Sequence, residues 1–258
     1  MNLYWFQRSS NFIFNDLSDE LENAGFTGIL FPCSSYGDDP FISIARNINS
    51  EKSIKYMVAI RPYTISPQYL SRISNSINKI SHGRTLINFV SGWIYDHEKN
   101  IGGIHGKTTD ASSSVERSNY LIDYIDTVEQ MGEQGPDFYV SVTNSIVFEK
   151  TKKHKVIIPY SWYKEKKFDL SQAKAMISIC PVIRKTNEEL IGLKKDTDPQ
   201  DVAFFTEEEF MDFFNEAKSM GIDGFLIFEN TDNTEKNTII RLISSLIKKE
   251  DATSKDVR

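Results

Sequence analysis

Two rhythms of apolar residues alternate along this chain. Short runs with little or no polar interruption stand at 3–6 (LYWF), 28–31 (GILF), 55–60 (KYMVAI), 85–90 (TLINFV), 137–142 (DFYVSV), 155–160 (KVIIPY), 175–183 (AMISICPVI) and 224–228 (GFLIF). Runs of this length suit strands buried on both faces, as a parallel sheet requires. Between them, apolar residues recur at helical spacing. Leu17, Leu21 and Ala24 lead into GFTGILF (25–31), and Phe210, Phe213, Phe214 and Ala217 lead into GIDGFLIF (221–228). These two segments are near copies, each reading as helix, glycine stop and apolar strand. The clearest helix start is Ser66-Pro67, a cap followed by proline in the first turn, with Leu70, Ile73, Ile77 and Ile80 on one face and a stop at Gly83. The last helix places Ile239, Ile240, Ile243 and Leu246 on one face and Lys248 and Lys249 at its end.

Eight alternating strand and helix units predict an α/β fold, a (β/α)8 TIM barrel, as one domain over 1–250 with a polar tail over 251–258. The length of 258 residues is enough for one large barrel core. A net charge of -6 provides no basic stripe to neutralise a run of phosphates, so nucleic acid is not an expected partner. No signal peptide and no run of about 18 apolar residues is apparent, so the expectation is a soluble cytoplasmic protein with no membrane partner. Cys33 and Cys180, far apart in sequence, predict neither a disulfide framework nor a metal site.

A barrel carries its chemistry on the loops that follow the strands. His82 and His154 precede strands and read as ordinary surface residues, whereas His97 and His105 follow the fourth strand. Those two are either solvated loop residues or members of a site. In TLINFVSG, alternation sets Leu86, Asn88 and Val90 on one face and Ile87 and Phe89 on the other. A buried amide at Asn88 needs partners: a neighbouring strand's backbone, an internal water, or a planar heteroaromatic ligand. Ser178 and Cys180 share a face with Met176 in the seventh predicted strand, where their small size makes room.

The segments GFTGILFPCSSYGDDPFISIA (25–45) and KYMVAIRPYTISPQYLSRISNSINKISHGRTLINFVSG (55–92), and the helix around SSVERSNYLIDYI (113–125), resemble the bacterial luciferase-like flavin monooxygenases. The alkanesulfonate monooxygenase branch is the nearest in phrasing. An aspartate pair after the second strand, Arg-Pro then Ser-Pro after the third, and Gly-Arg then Asn-x-Val-x-Gly around the fourth carry the likeness. It covers the first half of the chain well and the second half, with ICPVIRKTNEE, more weakly.

The resemblance implies reduced FMN, with a deazaflavin (F420) the less favoured cofactor. Asn88 and Ser91 would meet the flavin ring, and Ser141, Thr143 and Asn144 would lie at the phosphate, where the family has a Gly-Gly-Ser-Ser type of turn. Val142 departs from that turn. The branch also carries a cysteine where this chain has Gly37, an arginine and a histidine where it has Ser178 and Cys180, and an early histidine near Ser9. Alkanesulfonate oxidation is therefore not expected. The candidate catalytic residues become Ser178, Cys180, His97 and Arg61, with Tyr36 a further replacement and Arg61 alternatively an ion-pair partner of Asp38 or Asp39. The lid after the seventh strand and the insertion before the fifth are short. Expected partners are a small-molecule or carrier-bound substrate, a flavin reductase, and a second chain in a homodimer or heterodimer, paired through helices two and three. The alternative to an enzyme is a flavin-binding protein or non-catalytic subunit whose catalytic groups have eroded.

Overall fold

The computed structural model describes residues 1–7, 14–33, 38–48, 51–91, 114–131, 135–171, 173–193, 201–228 and 234–255. All eight predicted strands form: β1 (Asn2–Phe6), β2 (Gly28–Phe31), β3 (Lys55–Ile60), β4 (Thr85–Val90), β5 (Phe138–Ser141), β6 (Lys155–Pro159), β7 (Lys174–Arg184) and β9 (Gly224–Phe228). The hydrogen-bonded order runs β6-β5-β4-β3-β2-β1-β9-β7, and β7 pairs with β6 to close a parallel barrel. The ninth strand, β8 (Val202–Thr206), was not expected from the sequence. It pairs with Cys180–Arg184, the part of β7 beyond the residues that pair with β9. With five residues and two adjacent phenylalanines, VAFFT is too short to show a clear period of two in the sequence.

The helices among the described residues are α1 (Phe14–Asn23), α2 (Pro40–Asn47), α3 (Pro67–Ile80), α4 (Ser114–Gln130), α5 (Ser145–Thr151), α6 (Tyr160–Lys164), α7 (Asn187–Leu190), α8 (Glu207–Ser219) and α9 (Thr234–Lys255). The stretch after β7, where a shortened lid and then the helix of Phe210 to Ala217 were expected, contains α7 and β8 as well as that helix, α8. Helix α9 runs past Asp251, where polarity alone placed the start of a tail, because residues 251–255 contain neither glycine nor proline to stop it.

The chain forms two compact units: Met1–Ile29, Ile158–Ser171 and Ala175–Arg258 in the first, Leu30–Ile157 and Gln172–Lys174 in the second. In the first, the two sequence copies end their helices identically. Gly25 and Gly221 take φ of 88° and 79°, and the residue after each glycine donates to the carbonyl five residues back, Phe26 to Leu21 and Ile222 to Ala217. This left-handed stop satisfies carbonyls that the helix leaves open and turns the chain into a strand. Phe225 stacks on Phe214 at 4.1 Å and meets Phe213 edge-on, so Phe225 and its registered partner Ile177 face the helices. Met176 and Ser178 therefore face the other way.

In the second unit, Ser66 caps α3 by accepting from the Tyr69 N–H, with Pro67 in the first turn as expected. The buried seam of α3 runs Leu70, Ser74, Ile77 and then Ser81. Ile80, expected on that face, is 52% exposed, because the seam advances by four residues at its end and leaves Ile80 one position off it. Tyr124 of α4 packs against Phe89 of β4 and donates its hydroxyl to the Ile65 carbonyl, which ties α4 to the loop before α3.

Candidate active site

Phe89 meets Tyr124 at 6.0 Å and Phe138 at 5.2 Å between ring centres, so that face of β4 is the helix-covered one. Asn88 points away from it and is 2% exposed. The Ser141 hydroxyl donates to Asn88 Oδ1 at 3.0 Å, across the β4–β5 pairing that sets Asn88 opposite Tyr139 and Val90 opposite Ser141. The partner is thus a side chain of the next strand, an option the sequence did not single out. In this arrangement the amide oxygen accepts from Ser141, and its NH2 group is the end that can donate. No described residue accepts from that nitrogen. One position past β4, the Ser91 hydroxyl lies 2.9 Å from that of Thr143. Four of the five residues expected at a cofactor therefore form two hydrogen-bonded pairs bridging the ends of β4 and β5.

The fifth, Asn144, is engaged within the protein. Its Oδ1 accepts from the Val147 N–H as the cap of α5, and its Nδ2 donates to Ser118 Oγ at 2.6 Å. Ser118 in turn donates to the Ser114 carbonyl. Val142 does not open a glycine-like turn. Its N–H donates to the Ile157 carbonyl and its side chain is buried, so it continues the edge of β5.

Arg61, 5% exposed, directly follows β3 with its guanidinium 5.4 Å from the Tyr63 ring centre, while its carbonyl accepts from both the N–H and the hydroxyl of Thr64. Asp39 caps α2 by accepting from the Phe41 and Ile42 N–H groups. A cleft of about 570 Å³ opens beside these loops, lined by Cys33, Ile42, Ile60, Ile65 and Tyr69 among others.

In the first unit, Ser178 and Cys180 are each 7% exposed, and both are tied to a residue that sequence reasoning missed. Ser178 Oγ donates to Asp201 Oδ1 at 2.7 Å, and the Cys180 N–H donates to the Asp201 carbonyl at 2.7 Å. Burial pushes the Asp201 carboxyl above the usual carboxylate range, against hydrogen bonds from Ser178 and the Tyr160 N–H that favour its ionised form. A carboxyl thus stands behind Ser178, which the small size of that residue gave no reason to expect. No local signal marks Asp201 in the sequence; only the pairing of β7 with β8 brings it there. His97, His105, Tyr36, Gly37 and Ser9 lie outside the described residues. His154 sits before β6, its ring against Phe138, with burial holding its pKa below the usual histidine value in spite of Glu129.

No family model matches the sequence. Among solved structures, EDTA monooxygenase from Chelativorans sp. BNC1 superposes with a TM-score of 0.71 at 10% identity, covering 97% of this chain and 94% of its own. The chain shares that fold. Riboflavin lyase, solved with modified FMN and riboflavin, gives a TM-score of 0.71 at 12% identity over 97% and 92% of the two chains. An F420-dependent secondary alcohol dehydrogenase in complex with an F420-acetone adduct gives 0.65 at 10% identity over 95% and 97%. The shared fold extends over the second half of the chain as well, where the resemblance read from the sequence was weaker. No helix among the described residues is long and apolar enough to cross a membrane.

Proposed function

We propose that this chain is a flavin-dependent oxidoreductase of the luciferase-like type, binding reduced FMN and acting with oxygen on an organic, small-molecule or carrier-bound substrate. The observation that carries this reading is Asn88: a buried amide on the face of β4 turned away from the helices, which accepts from Ser141 and has an NH2 group able to donate to a ligand. A planar ring edged with acceptors fits such a donor pair. When bound, reduced flavin supplies the electrons that the protein's own side chains lack. Ser141 holds the amide, and Ser91 and Thr143 offer paired hydroxyls at the adjoining strand ends.

The phosphate end is less well provided. Asn144 spends its oxygen on the Val147 N–H and its nitrogen on Ser118, so a phosphate finds the Thr143 hydroxyl and little else preset for it. FMN and riboflavin are accordingly expected to bind within about tenfold of each other, the worth of roughly one ordinary hydrogen bond. Isothermal titration with FMN, riboflavin and F420, together with a spectrum and mass of whatever co-purifies, tests this. An absence of binding by all three at high micromolar concentration sinks the reading. F420 binding in preference to FMN redirects it to the deazaflavin.

The second reading, a flavin-binding protein or subunit without its own turnover, draws on the wall of β7. Ser178 is committed to Asp201, and no arginine or histidine stands at 178 or 180. Oxygen uptake with reduced FMN no faster than for free flavin, in the presence of candidate substrates, favours it.

We also propose a dimer through α2 and α3, where Ile42 and Tyr69 are 64% and 58% exposed beside the cleft. Sedimentation at tens of micromolar is expected to give twice the chain mass, and Tyr69→Asp to lower it to that of one chain. A wild-type mass of one chain at every concentration rejects this.

A further inference from the structure

The cleft of about 570 Å³ in the second unit has no part in the flavin reading. Its walls come from Phe41 and Ile42 of α2, Ile60 at the end of β3, Ile65 in the loop that follows, and Tyr69 and Ile73 of α3. Ile60 shows which side of the barrel wall this is. It is the registered partner of Phe89, and Phe89 packs on Tyr124 and Phe138 on the helix-covered face. Ala59, the partner of Asn88, faces the other way. The cleft therefore opens between α2 and α3 on the outer side of the wall, whereas Asn88 lies on its inner side.

The polar side chains of the lining limit what the cleft can hold, because the chain itself engages most of them. Asp39 Oδ1 accepts from the Phe41 and Ile42 N–H groups, the Thr64 hydroxyl donates to the Arg61 carbonyl, and Ser66 Oγ accepts from the Tyr69 N–H. The Tyr69 hydroxyl and the thiol of Cys33, a free and half-buried cysteine, carry no such bond. No lysine or arginine is among the described residues of the lining, while a carboxylate, Asp39, is. The volume lies in the range that takes a small molecule, and walls of isoleucine and aromatic carbon favour one that removes apolar surface from water.

We propose that this cleft is a binding site for an uncharged, largely apolar small molecule carrying one or two polar atoms, separate from the site at Asn88. The apolar body of the guest covers the isoleucines, and a single hydroxyl or carbonyl meets Tyr69 or Cys33. An anionic head is disfavoured, since it would stand near Asp39 with no cation in the lining to offset its lost hydration. The site stands whether or not a flavin binds. Ile42 and Tyr69 belong also to the proposed dimer face, so the competing occupant is a second copy of the chain.

Cys33 reports occupancy. Alkylation of the intact chain by iodoacetamide, followed at each cysteine by mass spectrometry, is expected to slow about tenfold at Cys33 with 1-octanol at about nine times its dissociation constant. Octanoate at the same concentration is expected to change that rate by less than about twofold. Cys180, 7% exposed and in the first unit, is expected to keep its own rate with either. Ile73→Trp puts a larger side chain into the cleft and is expected to abolish the protection by 1-octanol while FMN titrates as it does with the wild type. Should that variant not fold, the wild-type contrast of octanol with octanoate decides alone. No slowing at Cys33 up to the solubility limit of 1-octanol overturns the site, and so does equal protection by octanoate or protection that Ile73→Trp retains. Protection that FMN abolishes places the octanol at the cofactor instead and overturns it as well. A Cys33 rate that rises on dilution of the chain and ignores 1-octanol overturns it in favour of the second copy.

Discussion

Flavin affinity is expected to fall about 10- to 100-fold when Asn88 is replaced by leucine, the equivalent of losing hydrogen bonds worth roughly 1.5 to 3 kcal/mol. Leucine has a similar volume but no amide, and it also strips Ser141 of its acceptor. Asn88→Asp separates these effects, since it keeps an acceptor for Ser141 while removing the NH2 donors. Both variants should lose FMN in titration calorimetry. If Asn88→Asp binds FMN as the wild type does, the amide is a structural clasp between β4 and β5, and the cofactor site lies elsewhere. Melting of the ligand-free variants gives the necessary control, because a clasp and a ligand donor differ in which of the two measurements moves.

Gly224→Ala is expected to be the most damaging added methyl group among the described glycines. A Cβ at Gly224 would stand 2.0 Å from the Asn2 carbonyl oxygen and 2.8 Å from its carbon, both backbone atoms that cannot turn aside. Asn2 and Gly224 are registered partners in the β1–β9 pairing, anchored by the Asn2 N–H on the Asp223 carbonyl at 2.8 Å. The strands must part to admit the methyl, at a cost of about 3 kcal/mol by the scale of overpacked cores. Gly221→Ala, three residues earlier, meets nothing within 4 Å and suffers only its left-handed φ of 79°, worth about 1 to 2 kcal/mol. Denaturant unfolding should rank the two in that order. Equal losses would show that the strand approach at Gly224 yields more easily than its geometry implies.

The near copies at 25–31 and 221–228 show how far local pattern reaches. Their apolar runs, their helix-ending glycines and their strand identity were all legible, because each depends on residues within about eight positions of one another. That Asn88 and Phe89 lie on opposite faces of their strand was legible for the same reason, because strand side chains alternate with a period of two. That the partner of Asn88 would be Ser141 was not, since the bond joins residues 53 positions apart.

Asn144 illustrates a different limit. A hydroxyl-and-amide segment before a helix reads equally as an anion cradle and as a cap, and only Ser118, on another helix, shows that both ends of the amide are taken. Asp201 is the extreme case, one aspartate among the 36 acidic residues, distinguished by nothing around it in the chain.

By itself, then, the amino-acid order determined the number and kind of the barrel's units, their caps and stops, and which face of each strand carries polar groups. These are set by short-range sterics, hydrogen bonding within a turn, and the periodicity of burial. Tertiary structure alone decided that β7 outruns the barrel to recruit β8, that a carboxyl comes to stand behind Ser178, and that Asn144 is occupied within the protein while Asn88 meets Ser141. Those outcomes depend on which distant segments share a hydrogen bond in a desolvated place, and the cost of an unpaired polar group there is paid by partners that no local window contains.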